Sequence, residues 1–457
     1  MVKTKTIPFF NILIFLALIG VGLIYLYFYS LNNGFRPYYG DEYFYLKNSE
    51  SLAETGDFRA SFSYSGQGSK VGGFDPHGPA YPILYSIPSL FGISETLKIP
   101  LTNWILFLFS VLVLIWKSDL RIAKWAQVLL MLGSPFTLFY GMNLMPELLH
   151  LAIAIGIYLG IRAFINQDGF RNLIWVLVCI GLGGFFRDTW FFAYLILGLF
   201  LFERNPKLSV LLMVLGLVLP YLSQTLFHES VPNVFSDCIN HLKAGNWTEA
   251  LGELAYNAKR NIYFIFTYSE GLYYWVWKIW ILITMVLGVI FFKKSEAIQL
   301  GFGFLVLQVI FSIVLYKTYQ WTEWRMLSPI ALLVNLQLME KSNRSFLPAL
   351  GLVFSLASFI GILPFQKKLV SLRENQDLQS LSTELISEIS RLENALIRID
   401  PMLLEQYDWA ALPIRNESGQ LIRYLLPYYS QKEAYSTHSL TEANGQLMIR
   451  SVKILNQ

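Results

Sequence analysis

The stretch HGPAYPILYSIPSLFG, residues 77–92, sets the topology that we predict for the whole chain. It is apolar enough to resemble a membrane helix, but it is short and contains Pro79, Pro82 and Pro88. Proline removes a backbone hydrogen bond from a helix, and crossing about 30 Å of hydrocarbon takes about 20 apolar residues. We therefore predict that this stretch lies at the membrane surface and does not cross.

The distribution of basic residues supports that prediction. If residues 77–92 do not cross and the N-terminus is cytoplasmic, the short outer loops contain only three basic residues, Arg187, Lys317 and Arg325. The cytoplasmic loops then hold most of the other loop lysines and arginines, as the positive-inside rule requires. Counting residues 77–92 as a span would move KSDLRIAK, residues 117–124, to the outside and reverse every later loop.

Composition indicates that most of the chain is dissolved in lipid. Of 457 residues, 54% are hydrophobic and only 14% are charged, against about 25% charged in an average soluble domain. Apolar runs recur from the N-terminus to about residue 364 and predict an all-α polytopic membrane protein with about eleven spans. The predicted spans lie near residues 8–30, 100–116, 125–141, 146–161, 172–186, 189–202, 208–226, 273–292, 297–316, 326–340 and 346–364. The first run is too long for a signal-peptide core, and we expect it to remain as a membrane helix.

This threading predicts two domains. Residues 1–364 form the membrane domain, with a first outer loop at 32–99 and a second at 227–272, and residues 365–457 form a small α+β domain outside. In the first loop we expect two surface-lying helices, DEYFYLKNSESLAETG and PAYPILYSIPSLFG. In the tail, leucines and isoleucines at three- and four-residue spacing over residues 369–399 predict an amphipathic helix, followed by short strands such as LMIRSVKIL.

Charge and cysteine content argue against several classes of function. A net charge of +4 is spread thinly, and no block of Lys and Arg resembles a nucleic-acid-binding patch. Cys179 and Cys238 lie far apart and have no metal-binding spacing, so neither a disulfide nor a cysteine metal site is indicated.

The remaining polar residues fall on the outer face in this topology. They are Asp41, Glu42, Asp75, His77, Glu147, Arg187 and Arg325. Each alone has an ordinary structural explanation: Asp41 can cap a helix, Arg325 can be a snorkelling anchor, and Asp188 can pair with its neighbour Arg187. The functional prediction rests on the whole set.

As a set, these residues suit the transfer of a group from a lipid phosphate donor. A carboxylate can accept the proton of an attacking hydroxyl, and arginines can bind the departing phosphate through two parallel hydrogen bonds. We predict Asp41 as the general base, because it follows a glycine that can turn the chain sharply, and Glu42 as a supporting or capping acid. A site at the interface also suits a substrate with a polar head and a lipid tail.

Five segments in sequence resemble the GT-C class of membrane glycosyltransferases, in particular the branch with dolichyl-phosphate-mannose protein mannosyltransferases and the bacterial aminoarabinose transferases of lipid A. GDEYFYLKNSESLAETGDF is similar to the acidic first-loop segment of that family, and HGPAYPILYSIPSLFG to its HPPLYP helix. GMNLMPELLHLAIAIGIYLGIRAF is similar to its second-loop acidic motif, GLGGFFRDTWFFAYLIL to its basic hairpin tip, and WRMLSPIALLV to its RYLLP segment. The resemblance covers roughly residues 1–340.

The resemblance implies a GT-C-like fold and a role for each matching residue. Asp41 matches the catalytic aspartate, and His77, Arg187 and Arg325 match basic positions that face the lipid phosphate. Glu147 matches the second-loop acid, and we add Asp75, which precedes the second surface helix, to the candidate substrate-binding residues.

Three departures from the family pattern stand out. Gly78 replaces the first proline after the histidine, Glu147 stands where the family often has aspartate, and RMLSP lacks the usual tyrosine.

The expected function is therefore transfer of a sugar from a polyprenyl-phosphate donor to a hydroxyl of a glycolipid, glycan or protein. We expect an integral protein of the bacterial inner membrane, in contact with membrane lipids and not with nucleic acid. No metal ligand set is apparent and no cofactor is required, although a divalent cation is compatible with the loop carboxylates. The alternatives are a polytopic transporter, against which we find no paired halves with broken helices, and a non-catalytic relative that binds a polyprenyl lipid.

Overall fold

A computed structural model describes most of the chain beyond residue 39. The described residues are 40–64, 71–74, 77–93, 95–117, 130–141, 143–167, 169–228, 234–267, 272–315, 325–341, 347–374, 378–404, 406–426 and 436–452, with residues 16, 19, 20, 22, 23 and 37. The predicted span at 8–30 and the link SYSGQGSKVGG therefore lie largely outside them.

The structure is mostly helical, with 74% of residues in helices. In chain order the α-helices are α1 (Gly40–Thr55), α2 (Ala80–Ser86), α3 (Glu95–Lys117), α4 (Pro135–Tyr140), α5 (Glu147–Gln167), α6 (Phe170–Phe186), α7 (Ala193–Leu201), α8 (Pro206–Phe227), α9 (Val234–Lys243), α10 (Trp247–Thr267), α11 (Leu272–Phe291), α12 (Glu296–Val314), α13 (Ser328–Lys341), α14 (Leu347–Glu374) and α15 (Thr383–Ser390). Short 3₁₀ segments include Ile87–Phe91, which continues α2, and Asp188–Phe192, which precedes α7.

Within the described residues, five helical stretches are long and apolar enough to cross a membrane, as expected for a helical membrane protein. They are Leu97–Lys117, Glu147–Gln167, Pro206–Phe227, Tyr274–Lys294 and Glu296–Val314. Three shorter apolar helical stretches coincide with other predicted spans: Phe170–Phe186, Asp188–Leu201 and Ala349–Pro364.

Helix α13 lies at the centre of the bundle. Ala331, Leu332 and Leu333 on successive positions are all fully buried, which requires packing on every side of the helix. Its neighbours are α5, α11 and α12. Helix α12 approaches α13 closely at Gly301, since a Cβ at that position would stand 2.1 Å from the Gln337 side-chain oxygen. Arg325, which directly precedes this helix region, is therefore attached to the most enclosed part of the fold.

Helix α5 carries charged residues at both ends. Glu147 is its first residue, and Arg162 lies about 22 Å further along the axis at 1.5 Å per residue. Near the second end, Arg162 Nε lies 2.5 Å from Glu340 Oε1, and the Tyr158 hydroxyl donates to Glu340 Oε2 at 3.1 Å. Arg162 also donates to the carbonyl of Lys117 at 2.9 Å. We refer to Tyr158, Arg162 and Glu340 as the far-end cluster.

The strands form one five-stranded sheet. They are β1 (Phe62–Tyr64), β2 (Leu396–Ile399), β3 (Arg423–Leu426), β4 (His438–Ala443) and β5 (Gln446–Ser451), in the order β1-β3-β2-β4-β5. All neighbouring pairs are parallel except β4 and β5. Strand β1 lies within residues 32–99, for which the sequence predicts helices only, so the expectation for that segment was incomplete.

The first loop and the C-terminal segment share one hydrophobic core. Tyr43 and Phe44 of α1 and Phe62 of β1 are buried together with Trp409 and Tyr424. These apolar contacts fix α1 against the C-terminal sheet.

Two hydrogen bonds reinforce the contact between the loop and the C-terminal segment. Lys47 Nζ donates to the Ala410 carbonyl at 2.9 Å, and Arg423 donates to the Phe74 carbonyl at 2.7 Å. The C-terminal segment thus holds the loop helix that begins with Gly40 and Asp41.

The predicted amphipathic helix over residues 369–399 was wrong in its extent. Helix α14 ends at Glu374, α15 covers only Thr383–Ser390, and Leu396–Ile399 is a strand. Leu385 and Ile389 pack into the core at helical spacing, as expected, but Ile397 and Ile399 pack there from the sheet. Strand β5 confirms the first five residues of the predicted strand LMIRSVKIL and ends at Ser451, and the last three residues of that stretch lie outside the described residues.

Candidate functional site

Five of the predicted site residues lie together. We refer to Asp41, His77, Glu147, Arg187 and Arg325 as the site cluster. They come from the start of α1, the turn before α2, the start of α5, the end of α6 and the segment before α13. Arg187 and Arg325 both contact the carboxylate of Glu147.

Glu147 is the centre of the cluster. Arg187 Nη2 donates to Glu147 Oε1 at 3.0 Å, and Arg325 Nε lies 3.6 Å from the same oxygen. The Glu147 side chain is only 1% exposed, whereas those of Arg187 and Arg325 are 16% and 18% exposed. A solvent-side ligand therefore meets the guanidinium groups and not the glutamate.

Asp41 lies on the other side of Arg325. Arg325 Nη2 donates to Asp41 Oδ2 at 3.4 Å, and His77 Nε2 lies 3.9 Å from Asp41 Oδ1. The Asp41 side chain is 15% exposed. Its position in the first turn of α1 is favourable for a carboxylate, because the helix dipole presents positive potential there. Asp41 thus lies between the Arg325 guanidinium and the His77 imidazole at an accessible edge.

Glu42 has a different environment from its neighbour. It is fully buried, and its Oε1 accepts a hydrogen bond from the Leu144 backbone N–H at 3.0 Å. This bond connects α1 to the segment directly before Glu147. Asn103 supports the same segment by donating to the Met145 carbonyl at 2.9 Å. Glu42 therefore fixes the position of Asp41, at the start of α1, relative to Glu147, at the start of α5.

Gly78 has a backbone conformation that excludes a proline at this position. Its φ is +73°, which proline cannot adopt. A Cβ there would also stand 3.0 Å from His228 Nε2 at the end of α8. His228 in turn lies 3.6 Å from Asp188 Oδ1, and Gln224 donates to the same carboxylate. Asp188 therefore contacts α8, whereas its neighbour Arg187 turns to Glu147.

Sequence reasoning missed a group of aromatic residues beneath the cluster. Tyr45 and Tyr81 are almost fully buried, with ring centroids 4.9 Å apart, and the Tyr45 ring lies 5.1 Å from that of His77. Burial raises the pKa of the Tyr45 and Tyr81 hydroxyls far above the usual range, so both are neutral O–H groups. Their positions in DEYFY and PAYP were visible, but nothing in the sequence distinguished them from interfacial aromatics.

Asp75 lies outside the described residues. Among the residues that are described, no group of three or more His, Cys, Asp or Glu side chains is placed to bind a metal ion. Asp41 and Glu147 each already contact a guanidinium, which would repel a divalent cation placed between them. The arrangement of charges fits an anionic ligand better than a metal ion.

Comparisons with known protein families, with characterised protein sequences and with solved structures find no match for this chain.

Proposed function

We propose that this protein is a glycosyltransferase that moves a sugar from a polyprenyl-phosphate-linked donor to an acceptor hydroxyl on the outer face of the membrane. The observation that carries the proposal is the convergence of Arg187 and Arg325 on the buried Glu147, with the more accessible carboxylate of Asp41 against Arg325, beside the ends of apolar helices. Two guanidinium groups suit a phosphate, and a carboxylate suits a hydroxyl that must lose its proton.

The proposed reaction assigns one task to each group. The acceptor oxygen attacks the anomeric carbon, the bond between that carbon and the phosphate oxygen breaks, and the acceptor proton passes to Asp41. Negative charge grows on the departing polyprenyl phosphate, where Arg187 and Arg325 stabilise it. His77, near Asp41, supports the orientation of the carboxylate.

Burial separates the roles of the two adjacent acids. Asp41 is accessible at the edge of the cluster, whereas Glu42 is enclosed and already accepts the Leu144 N–H. A general base must reach the proton that it accepts within hydrogen-bond distance. Asp41 is therefore our proposed base, and Glu42 the residue that holds α1 in register with α5.

The proposal includes a GT-C-like fold with the N-terminus in the cytoplasm of a bacterial cell and the cluster on the outer side of the inner membrane. The 3₁₀ segment after α2 supports an interfacial site, because Leu90 and Phe91 are 77% and 78% exposed on its surface. Large apolar side chains exposed beside a polar cluster suit a membrane interface and a substrate with a long lipid tail. The acceptor would approach from the aqueous side.

The direct test is the replacement Asp41→Asn in protein reconstituted with a labelled polyprenyl-phosphate sugar. Asparagine keeps the shape and hydrogen-bonding capacity but cannot accept the proton, so transfer should fall about 10²–10⁴-fold. Binding of the lipid donor should be retained, because the phosphate contacts Arg187 and Arg325. A matched control is Asp57→Asn, which removes an acid of the same loop whose partner is Arg59.

A near-parental transfer rate in the folded, donor-binding Asp41→Asn protein would contradict the assigned base. If the parent protein released no sugar from any polyprenyl-phosphate donor but moved a solute across liposomes, the transporter alternative would replace this proposal. Binding of the lipid without either activity would identify a non-catalytic lipid-binding protein.

A further inference from the structure

Two parallel contacts join α5 to the 3₁₀ segment Asp188–Phe192 and the residue before it. Glu147 contacts Arg187, and three residues later on each element the Trp190 indole N–H donates to His150 Nδ1 at 3.1 Å. Residues three apart lie on the same face of a helix, so the second contact lies directly beneath the first. His150 and Trp190 are both buried and take no part in the ionic contacts above them.

The contact from Trp190 determines the protonation of the His150 ring. An indole N–H can only donate, so His150 Nδ1 must present its lone pair and cannot carry a hydrogen. A neutral imidazole with a free Nδ1 carries its hydrogen on Nε2. That nitrogen lies 2.9 Å from the Tyr81 hydroxyl oxygen, which must therefore accept this hydrogen bond.

The hydroxyl hydrogen of Tyr81 consequently points away from His150. Within the described residues, His150 is the hydrogen-bond partner that the structure gives this hydroxyl. Tyr81 is 2% exposed, and its ring packs 5.3 Å from that of Phe186, the residue before Arg187. Arg187 Nη1 is likewise buried and makes no hydrogen bond within the described part of the chain. Two neighbouring donors thus lack an acceptor.

We propose that Tyr81 donates its hydroxyl hydrogen to a phosphate oxygen of the lipid donor beside Arg187, and that Trp190 and His150 are positioning residues that fix the direction of this donor. The inference rests on the proposed function, because the phosphate comes from that substrate. Donors without acceptors suit an anionic oxygen, and a hydrogen bond to a charged oxygen is stronger than one between neutral groups. The neutral Tyr81 hydroxyl keeps its hydrogen throughout the physiological pH range, since burial raises its pKa.

The experiment measures binding of a long-chain polyprenyl phosphate, and of the matching polyprenol without phosphate, to the full chain in nanodiscs. Tyr81→Phe should weaken binding of the phosphate lipid about tenfold and leave polyprenol binding unchanged. The control is Tyr85→Phe, which removes a buried hydroxyl that donates to Asn103 at 2.8 Å, one helical turn from Tyr81. It should bind both lipids as the parent does.

Trp190→Phe tests the positioning role. Without the indole N–H, His150 can carry its hydrogen on Nδ1 and accept from Tyr81 at Nε2, which turns the tyrosine hydrogen away from the phosphate. We expect a loss of about tenfold in phosphate-lipid binding, as for Tyr81→Phe. The double variant should lose no more than either single variant, because both remove the same donated hydrogen bond. If the two substitutions instead caused independent packing defects, their losses of phosphate-lipid binding would multiply to about a hundredfold in the double variant.

The outcomes separate this inference from the proposed function. A parent protein that binds the phosphate lipid but transfers no sugar overturns the proposed function, and the variants still decide the role of Tyr81. Parent-like binding by Tyr81→Phe overturns the inference alone, and points to Glu147 as the acceptor of its hydrogen. If the parent binds both lipids equally, both proposals are overturned. Should Trp190→Phe not fold, the comparison of Tyr81→Phe with Tyr85→Phe still decides the assignment.

Discussion

The two ends of helix α5 carry the same kinds of side chain in opposite arrangements. In the far-end cluster one arginine, one glutamate and one tyrosine contact each other, and the closest ionic distance is 2.5 Å. In the site cluster two arginines contact a single glutamate oxygen at 3.0 Å and 3.6 Å. The far end therefore has one guanidinium for its carboxylate, whereas the site has two guanidinium groups on one carboxylate oxygen.

This difference separates an ionic contact that stabilises helices from one that can bind a ligand. At the far end, Arg162 also donates to the Lys117 carbonyl, so the ends of α3, α5 and α13 are connected through one guanidinium. At the site, Arg187 Nη1 and Glu147 Oε2 are buried without hydrogen-bond partners in the described part of the chain. Buried polar groups normally find partners, and exceptions often mark a functional position.

The largest expected effect concerns the side of the membrane on which each end lies. Our topology places the site outside and the far end inside, so labelling should be all-or-none. A membrane-impermeant thiol reagent added to intact cells should modify Ser418→Cys in the C-terminal segment and should not modify Lys294→Cys after α11. Both positions are exposed, whereas Cys179 and Cys238 are buried and provide a low background.

The same method tests the stretch at residues 77–92. Arg59 and Lys117 are exposed positions before and after that stretch. If cysteines placed at these two positions reacted from the same side, that stretch would have to cross the membrane, and the topology would be reversed for every later helix. Modification of Lys294→Cys before cell lysis would contradict the topology in the same way.

A second prediction compares Arg187, which contacts Glu147 at the first end of α5, with Arg162 near the second end. Arg187→Lys keeps a positive charge but loses the planar geometry that contacts Glu147 and a phosphate together. Transfer should fall about 10²–10³-fold, the usual cost of removing one donor from a charge-stabilising site. Arg162→Lys makes the same chemical change in the far-end cluster and should leave transfer within about threefold of the parent. Equal losses in the two variants, measured with saturating donor, would remove the distinction between the clusters.

Much of the membrane architecture could be predicted from the sequence. Apolar runs identified the five long helices, because hydropathy depends on composition and not on packing partners. Strand β1 could not be identified, since the three residues Phe62–Tyr64 are bounded by no pattern and pair with Arg423–Leu426 from the other end of the chain. The tail helix was overestimated because Leu396 and Ile399 continue the helical spacing while lying in a strand.

The site was predictable in its charged residues and not in its supporting ones. Asp41, Glu147 and Arg187 stood out because the predicted topology places them on one face of the membrane together with His77 and Arg325. The arrangement beneath them was invisible, because His150 lies inside an apolar run and Trp190 follows a charged turn in an ordinary aromatic sequence. The contact between His150 and Trp190 depends on how α5 and the 3₁₀ segment Asp188–Phe192 are shifted along each other. Residue spacing within one element does not determine that shift.

A third prediction measures how much the far-end cluster contributes to stability. Glu340→Gln removes the charge that faces Arg162 and weakens a partly buried contact, so unfolding should become easier by about 1–3 kcal/mol. Thermal unfolding in detergent would detect the change, while transfer should remain at the parental rate. The control Glu296→Gln removes the partner of Arg204 in an exposed pair at 2.8 Å, which should matter little. Loss of transfer in stably folded Glu340→Gln would extend the functional site to the far end.

The smallest effect is expected from the tyrosine of the far-end cluster. Tyr158→Phe deletes the hydroxyl that donates to Glu340 Oε2 at 3.1 Å and keeps the ring that packs in the core. One hydrogen bond of this kind contributes about 0.5–1.5 kcal/mol to stability. Transfer and lipid binding should not change, because the Tyr158 hydroxyl donates to a residue of its own cluster and not to a ligand. The variant thus reverses the pattern expected for Tyr81→Phe, which should lose phosphate binding. If Tyr158→Phe lost as much phosphate-lipid binding as Tyr81→Phe, removal of any buried phenol near α5 would disturb the site. The Tyr81→Phe result would then give no specific evidence that Tyr81 is a hydrogen-bond donor to the phosphate.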